Sequence, residues 1–167
     1  MGERSEALAK RFEQVHGDLI ELVESLSADE WQATCPGETW SVGVTAHHIA
    51  YDQAHIVEWF QAIANGRPLP PAAPGGLDAS TARHAAEYAN CTKEESLALL
   101  RRDGEAAARA VRELTDEQLD RAAPVTDGRP ALTAGGVVER ILMGHVLGHG
   151  ASIRAATGRE SQAAEER

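Results

Sequence analysis

Imidazole recurs in this sequence at a spacing suited to metal chemistry. In "ILMGHVLGHGASIRAAT", residues 141–157, His145 and His149 are four apart. On a helix such residues lie one above the other on the same face. Each neutral ring offers one lone pair, and a divalent cation satisfies both at once. Far upstream, "TWSVGVTAHHIAYD" supplies the adjacent pair His47 and His48. Successive helical residues advance by roughly 100°. On that count, Val138, Ile141, Leu142, Ser152 and Ala156 share an apolar face with His145 and His149, whereas Met143 and Leu147 point outward. In the upstream segment Val42, Ile49, Ile56, Phe60 and Ile63 set the core direction. His48 then lies on the flank of that core with Asp52, His55 and Trp59, and His47 lies opposite, toward solvent.

Two readings follow. His48, His145 and His149 are hydrogen-bonded core residues, or they hold one cation with coordination positions left open, the pattern of a catalytic rather than a structural site. In the second reading Asp52, one turn after His48, orients a ligand or accepts a proton; in the first it is a surface carboxylate. His55, Trp59 and Ser152 are candidates for lining a substrate pocket, as is His16 beside the first helix's apolar stripe. His84 is expected to be exposed, and Arg154 to point away from His145. Trp31, Trp40 and Trp59 read first as packing. Cys35, in a Cys-Pro-Gly turn without a basic neighbour, has no reason to be a nucleophile.

The elements that must position these groups are helices. Leu8, Phe12, Val15, Leu19, Leu22 and Leu26 draw a single stripe along a helix from Glu3 to Ser25. Ser27 with Glu30 forms a capping box for a short turn carrying Trp31. A second long helix is predicted from Ser41, its N-cap, to Asn65 and Gly66. "GRPLPPAAPGG" cannot be regular structure. A short helix is predicted over 78–90. Thr92 with Glu95 opens a third long helix through Leu114, and a fourth runs from Thr133 to Gly158. "LSADEWQATCP" (26–36) aligns without gaps to "LTDEQLDRAAP" (114–124), which suggests two related helix pairs. Such a repeat would give His48 and His145 comparable places. The predicted fold is an all-α four-helix bundle, residues 1–158, with a flexible tail at 159–167.

Composition narrows the function. The chain has 167 residues, 43% of them hydrophobic, and a net charge of −10. The charge disfavours sequence-independent binding to nucleic acid or anionic lipid. No apolar run spans a membrane, and the start, "MGERSEALAKRFEQ", lacks a signal-peptide core. Two distant cysteines suggest a reducing, cytoplasmic setting.

"CPGETWSVGVTAHHIA" resembles the segment of the DinB/YfiT-like superfamily in which a Trp-Ser/Thr-Val start leads to a histidine eight residues later, here Trp40, Ser41, Val42 and His48. The Cys35-Pro36-Gly37 lead-in is similar to members grouped with mycothiol-dependent maleylpyruvate isomerase. "GHVLGHGASIR" resembles the closing motif. Three departures stand out: Ser152 replaces a frequent Gln, Gly150 replaces a frequent His, and Glu38 and Thr39 lengthen the turn before Trp40. The resemblance implies up-down-down-up topology with a long crossing loop. It also implies a divalent metal, nickel or zinc, on His48, His145 and His149. A small-molecule substrate, a low-molecular-weight thiol such as mycothiol or bacillithiol, and a homodimer are further implications. The expected activity is that of a thiol S-transferase, isomerase or hydrolase; the alternative is a non-catalytic metal- or ligand-binding bundle in stress response.

Overall fold

The computed structural model describes residues 2–71, 74–125 and 130–159. Four long helical rods form the bundle: α1 (Glu3–Ser25), α3 (Val42–Ala64), α5 (Lys93–Arg112) and a last rod that begins as α7 (Ala134–Val137) and ends as α8 (Gly144–Ala156). Shorter helices lie between them: α2 (Ala28–Gln32), α4 (Gly76–Glu87) and α6 (Asp116–Asp120). A two-residue antiparallel ladder pairs β1 (Ala122–Ala123) with β2 (Leu132–Thr133).

Polar contacts along the rods fix their directions. Arg112, at the end of α5, binds Glu6 and Glu13 of α1, and Lys93, at the start of α5, donates to the Leu26 carbonyl. These two helices are therefore antiparallel. Arg11 of α1 meets Glu139, and Arg159 meets Ser25, so the last rod runs parallel to α1. Glu38, just before α3, meets Ser152 near the end of α8, while Arg121 links the Ala64 carbonyl at the end of α3 to the Ala134 N–H at the start of α7, so α3 and the last rod run oppositely. The order is up-down-down-up, with α4 on the long connection between the parallel α3 and α5. The interior is filled by Phe12, Leu19, Ile49, Phe60, Leu100, Leu142 and Ile153, all almost fully buried. Burying one such side chain stabilises the fold by about 1.5–3 kcal/mol.

The predicted caps at Ser27, Ser41 and Thr92 each accept a backbone N–H in the first turn of their helices, and Thr115 caps α6 in the same way. The internal repeat has a structural counterpart. After each capped turn the chain makes an antiparallel pair, Thr34 with Ser41 and Ala122 with Thr133, which are the residues just before α3 and α7. The repeat stops there. His48 is seven residues past Ser41, while His145 is twelve past Thr133, so the two do not occupy equivalent positions.

Five predictions require correction. Val138–Met143 is a π-helical segment, not α-helix. Its wider turn rotates Met143 inward, where it is 3% exposed, while Leu147 remains outward at 54%. His47 and His84 are both buried, not exposed. The returning crossover covers that side of α3, and His47 stacks on Tyr88 with ring centroids 4.0 Å apart. The short helix also begins earlier than predicted, at Gly76. Most of the proposed tail lies outside the described residues, but Arg159 is anchored to Glu30 and Ser25.

Candidate metal centre

The first nine residues of α3, Val42 to Ala50, are buried. Trp31 packs so closely on Gly43 that an added Cβ would lie 2.6 Å from its ring. The Trp31 indole N–H donates to the Cys91 carbonyl, 3.2 Å away, tying α2 to the entry of α5. This packing holds His48, 4% exposed, in the first half of α3, on the side that faces α8.

His48 there meets His145 and His149. Its Nε2 is 3.1 Å from His145 Nε2. One nitrogen from each of the three rings lies within 4.8 Å of the others. The rings meet edge to face, with centroids 4.5–5.2 Å apart. Burial and the neighbouring imidazoles push the His48 and His145 pKa values down to about 3. Both rings are therefore neutral at pH 7, and each carries one lone pair.

The donor set fits a divalent cation. Ligands about 2.0–2.1 Å from a tetrahedral zinc are about 3.3 Å from one another, close to the 3.1 Å between His48 Nε2 and His145 Nε2. The Nδ1 atoms of His48 and His145 are buried without a partner among the described residues. The nitrogens that converge are thus the Nε2 atoms of these two rings.

The remaining contacts come from outside the trio. Glu38, on the loop before α3, places Oε1 2.6 Å from His149 Nδ1, and its Oε2 accepts from the Ser152 hydroxyl. Burial opposes its ionisation, yet the Ser152 hydroxyl, the His149 ring and its own N–H hold the carboxyl below its ordinary value. Asp52 Oδ2 lies 3.5 Å from His48 Nε2 and 3.6 Å from His145 Nε2. Burial raises the Asp52 pKa. Trp40 stands edge-on to His48, with centroids 5.3 Å apart, and forms one wall. His84 is on another side, its ring 5.3 Å from that of His48 and its Nε2 3.2 Å from His47 Nδ1.

The other predicted site residues are scattered. Ser152 joins the cluster through Glu38. His55 is exposed, with Nδ1 3.3 Å from the Tyr51 carbonyl. Trp59 is half-buried against the core. His16 is buried among Phe12, Gly104 and Gln53, away from the trio. Burial raises the pKa of the Cys35 thiol, and its surroundings are Thr45, Glu38 and Ser152. Sequence reasoning missed Glu38, the covered His47–His84 pair and the wall made by Trp40. The carboxylate in the Pro-Gly turn was the available signal for Glu38, but a turn residue does not reveal which helix it faces.

The sequence profile of the DinB superfamily matches residues 11–153, a span that includes all three histidines. The chain belongs to the DinB superfamily. Among solved structures, this DinB chain is similar to YfiT from Bacillus subtilis, described as a probable metal-dependent hydrolase with an unusual four-helix bundle topology. The TM-score is 0.76 at 19% identity, over 95% of this chain and 89% of that one. It is also similar to the mycothiol-dependent maleylpyruvate isomerase, with TM-score 0.68 and 14% identity over 90% of this chain and 60% of that one. At these identities the likeness shows the shared DinB fold. No curated protein matches the sequence.

Proposed function

We propose that His48, His145 and His149 hold a divalent cation, nickel or zinc, and that the protein is a metal-dependent enzyme acting on a small molecule. The observation that carries this reading is the convergence of three imidazoles from two helices, with ligand atoms within 4.8 Å of one another. A bound divalent cation lowers the pKa of a coordinated water or thiol, supplying a nucleophile near neutral pH. The chain's own groups suit that chemistry. Asp52 reaches the His48 and His145 nitrogens from one flank. Burial raises its pKa toward the range of a useful general base. Trp40 shields the His48 side from water.

The reaction type is transfer to or from a thiol, isomerisation or hydrolysis. A low-molecular-weight thiol cosubstrate is supported by the family resemblance and by the mycothiol dependence of one similar structure. His55, Trp59 and Ser152 are proposed as pocket residues, with His16 as a more remote contributor. A cytoplasmic location is supported by Cys35 and Cys91, which are free thiols, and no helix of the described residues is long and apolar enough to cross a membrane. A homodimer is proposed from the family resemblance. Of the two outward apolar residues first predicted on the last helix, Leu147 is the exposed one.

Elemental analysis of untagged protein tests the metal reading. The expected result is about one nickel or zinc per chain, lost in His145→Ala. Metal-replete protein with no bound metal overturns it. Assays of thiols against electrophiles, and of hydrolysable esters and amides, then test catalysis. Activity should require the metal and fall in Asp52→Asn. Bound metal without turnover across these classes favours the binding-bundle alternative.

A further inference from the structure

Glu38 makes a contact that the proposed reaction does not use. Both its oxygens are engaged, Oε1 at His149 Nδ1 and Oε2 at the Ser152 hydroxyl. These partners are three residues apart on α8, so the carboxylate spans one turn of that helix. An ionised carboxylate only accepts hydrogen bonds. The ring nitrogen facing it must therefore carry the proton.

The loop that presents Glu38 is held firmly at both ends. Cys35 N–H donates to the Trp40 carbonyl at 2.8 Å, Thr39 N–H to the Cys35 carbonyl at 2.9 Å, and Val42 N–H to the Ala33 carbonyl at 2.8 Å. Within it Thr39 has φ +63°, the one non-glycine residue with positive φ among the described residues. A β-branched residue in the left-handed region is strained, and such strain persists where the surrounding contacts over-determine it. Here the strained residue is directly beside Glu38 and lets the turn aim its carboxylate at α8.

We infer that Glu38 is a positioning residue: it holds His149 in the Nδ1–H tautomer, so that Nε2 carries the lone pair and faces the point shared with His48 and His145. This inference rests on the metal reading above for its consequence, but the tautomer is a property of the chain alone. A carboxylate behind a ligand histidine fixes ring orientation and raises its basicity, and loss of such a partner typically weakens metal binding by about 10–100-fold. Glu38 is the carboxylate in contact with a ring of the trio at hydrogen-bond distance, whereas Asp52 lies farther off, on the ligand-atom side.

Two measurements test this. Long-range 1H–15N spectra of the metal-free protein should show His149 protonated on Nδ1, and Glu38→Ala should shift it toward the Nε2–H form. Zinc competition against a chromophoric chelator should show about 10–100-fold weaker binding for Glu38→Ala. Glu38→Gln, whose amide oxygen still accepts the Nδ1–H but carries no charge, should fall between that variant and the wild type. Circular dichroism identifies any variant that has lost its fold, and the Gln variant preserves the shape if the Ala variant fails. The inference is overturned if metal-free wild type carries the His149 proton on Nε2, or if the folded Glu38 variants bind zinc as tightly as wild type. A wild-type chain that binds neither zinc nor nickel overturns the metal reading, and the tautomer measurement still decides the Glu38 contact.

Discussion

Gly104 and His16 occupy one contact between α5 and α1. A Cβ on Gly104 would lie 2.2 Å from His16 Cε1, so the glycine makes room for the ring. Gly104→Ala would gain about 1 kcal/mol of helix propensity, but overpacking the site costs about 1–3 kcal/mol. The expected outcome is a lower urea midpoint, and a midpoint above wild type would mean that the ring moves aside freely. His16 also links stability to pH. Burial pushes its pKa down to about 4, from 6.5. Between those values the unfolded chain holds the extra proton. Its contribution is therefore complete above pH 6.5 and is lost as pH falls toward 4, on the order of 1 kcal/mol per pH unit. Denaturant titrations of metal-free protein at pH 7, 6 and 5 should show a smaller loss in His16→Gln than in wild type. Equal slopes would remove His16 as a cause.

The last rod shows what an element adds to its residues. A regular α-helix would place Met143 opposite His145. The π segment Val138–Met143 turns it into the core, along with Val138 and Leu142. Single-turn π segments cluster at functional sites, and this one ends two residues before His145. Met143→Ala should therefore cost about 2–5 kcal/mol, as for other buried methionines. Leu147→Ala, on the exposed side, should change monomer stability by less than about 0.5 kcal/mol. Thermal or urea unfolding of the two variants distinguishes the arrangements, since a straight α-helix would leave both changes nearly neutral. If Leu147 lies in a dimer contact, Leu147→Glu should shift the molecule toward monomer in sedimentation without altering the fold.

At the scale of the molecule, the proposed cation would join α3 to α8. A ligand that binds only the folded state stabilises it in proportion to its occupancy, by about 2.7 kcal/mol at a hundred times its Kd. Zinc or nickel should therefore raise the Tm of metal-free protein, and a chelator should reverse the shift. His145→Ala should abolish the response. A wild-type Tm that does not respond to either cation would argue against a shared site.

The sequence by itself determined the four long helices and most of their starts. The stripe from Leu8 to Leu26, the capping residues Ser27, Ser41, Thr92 and Thr115, and the glycines at 66 and 158 are local signals, set by backbone sterics and helical period. It also placed His145 and His149 on one face, because residues four apart are neighbours on any α-helix. Only the tertiary structure decided what covers a helix surface and what faces a loop. His47 and His84 are buried because a distant crossover returns to them, Met143 because a π turn meets the core better than an α turn. Glu38 reaches His149, more than a hundred residues away in sequence, because a hairpin-like loop folds over α8. These contacts depend on where separate segments meet in space, which no local periodicity encodes.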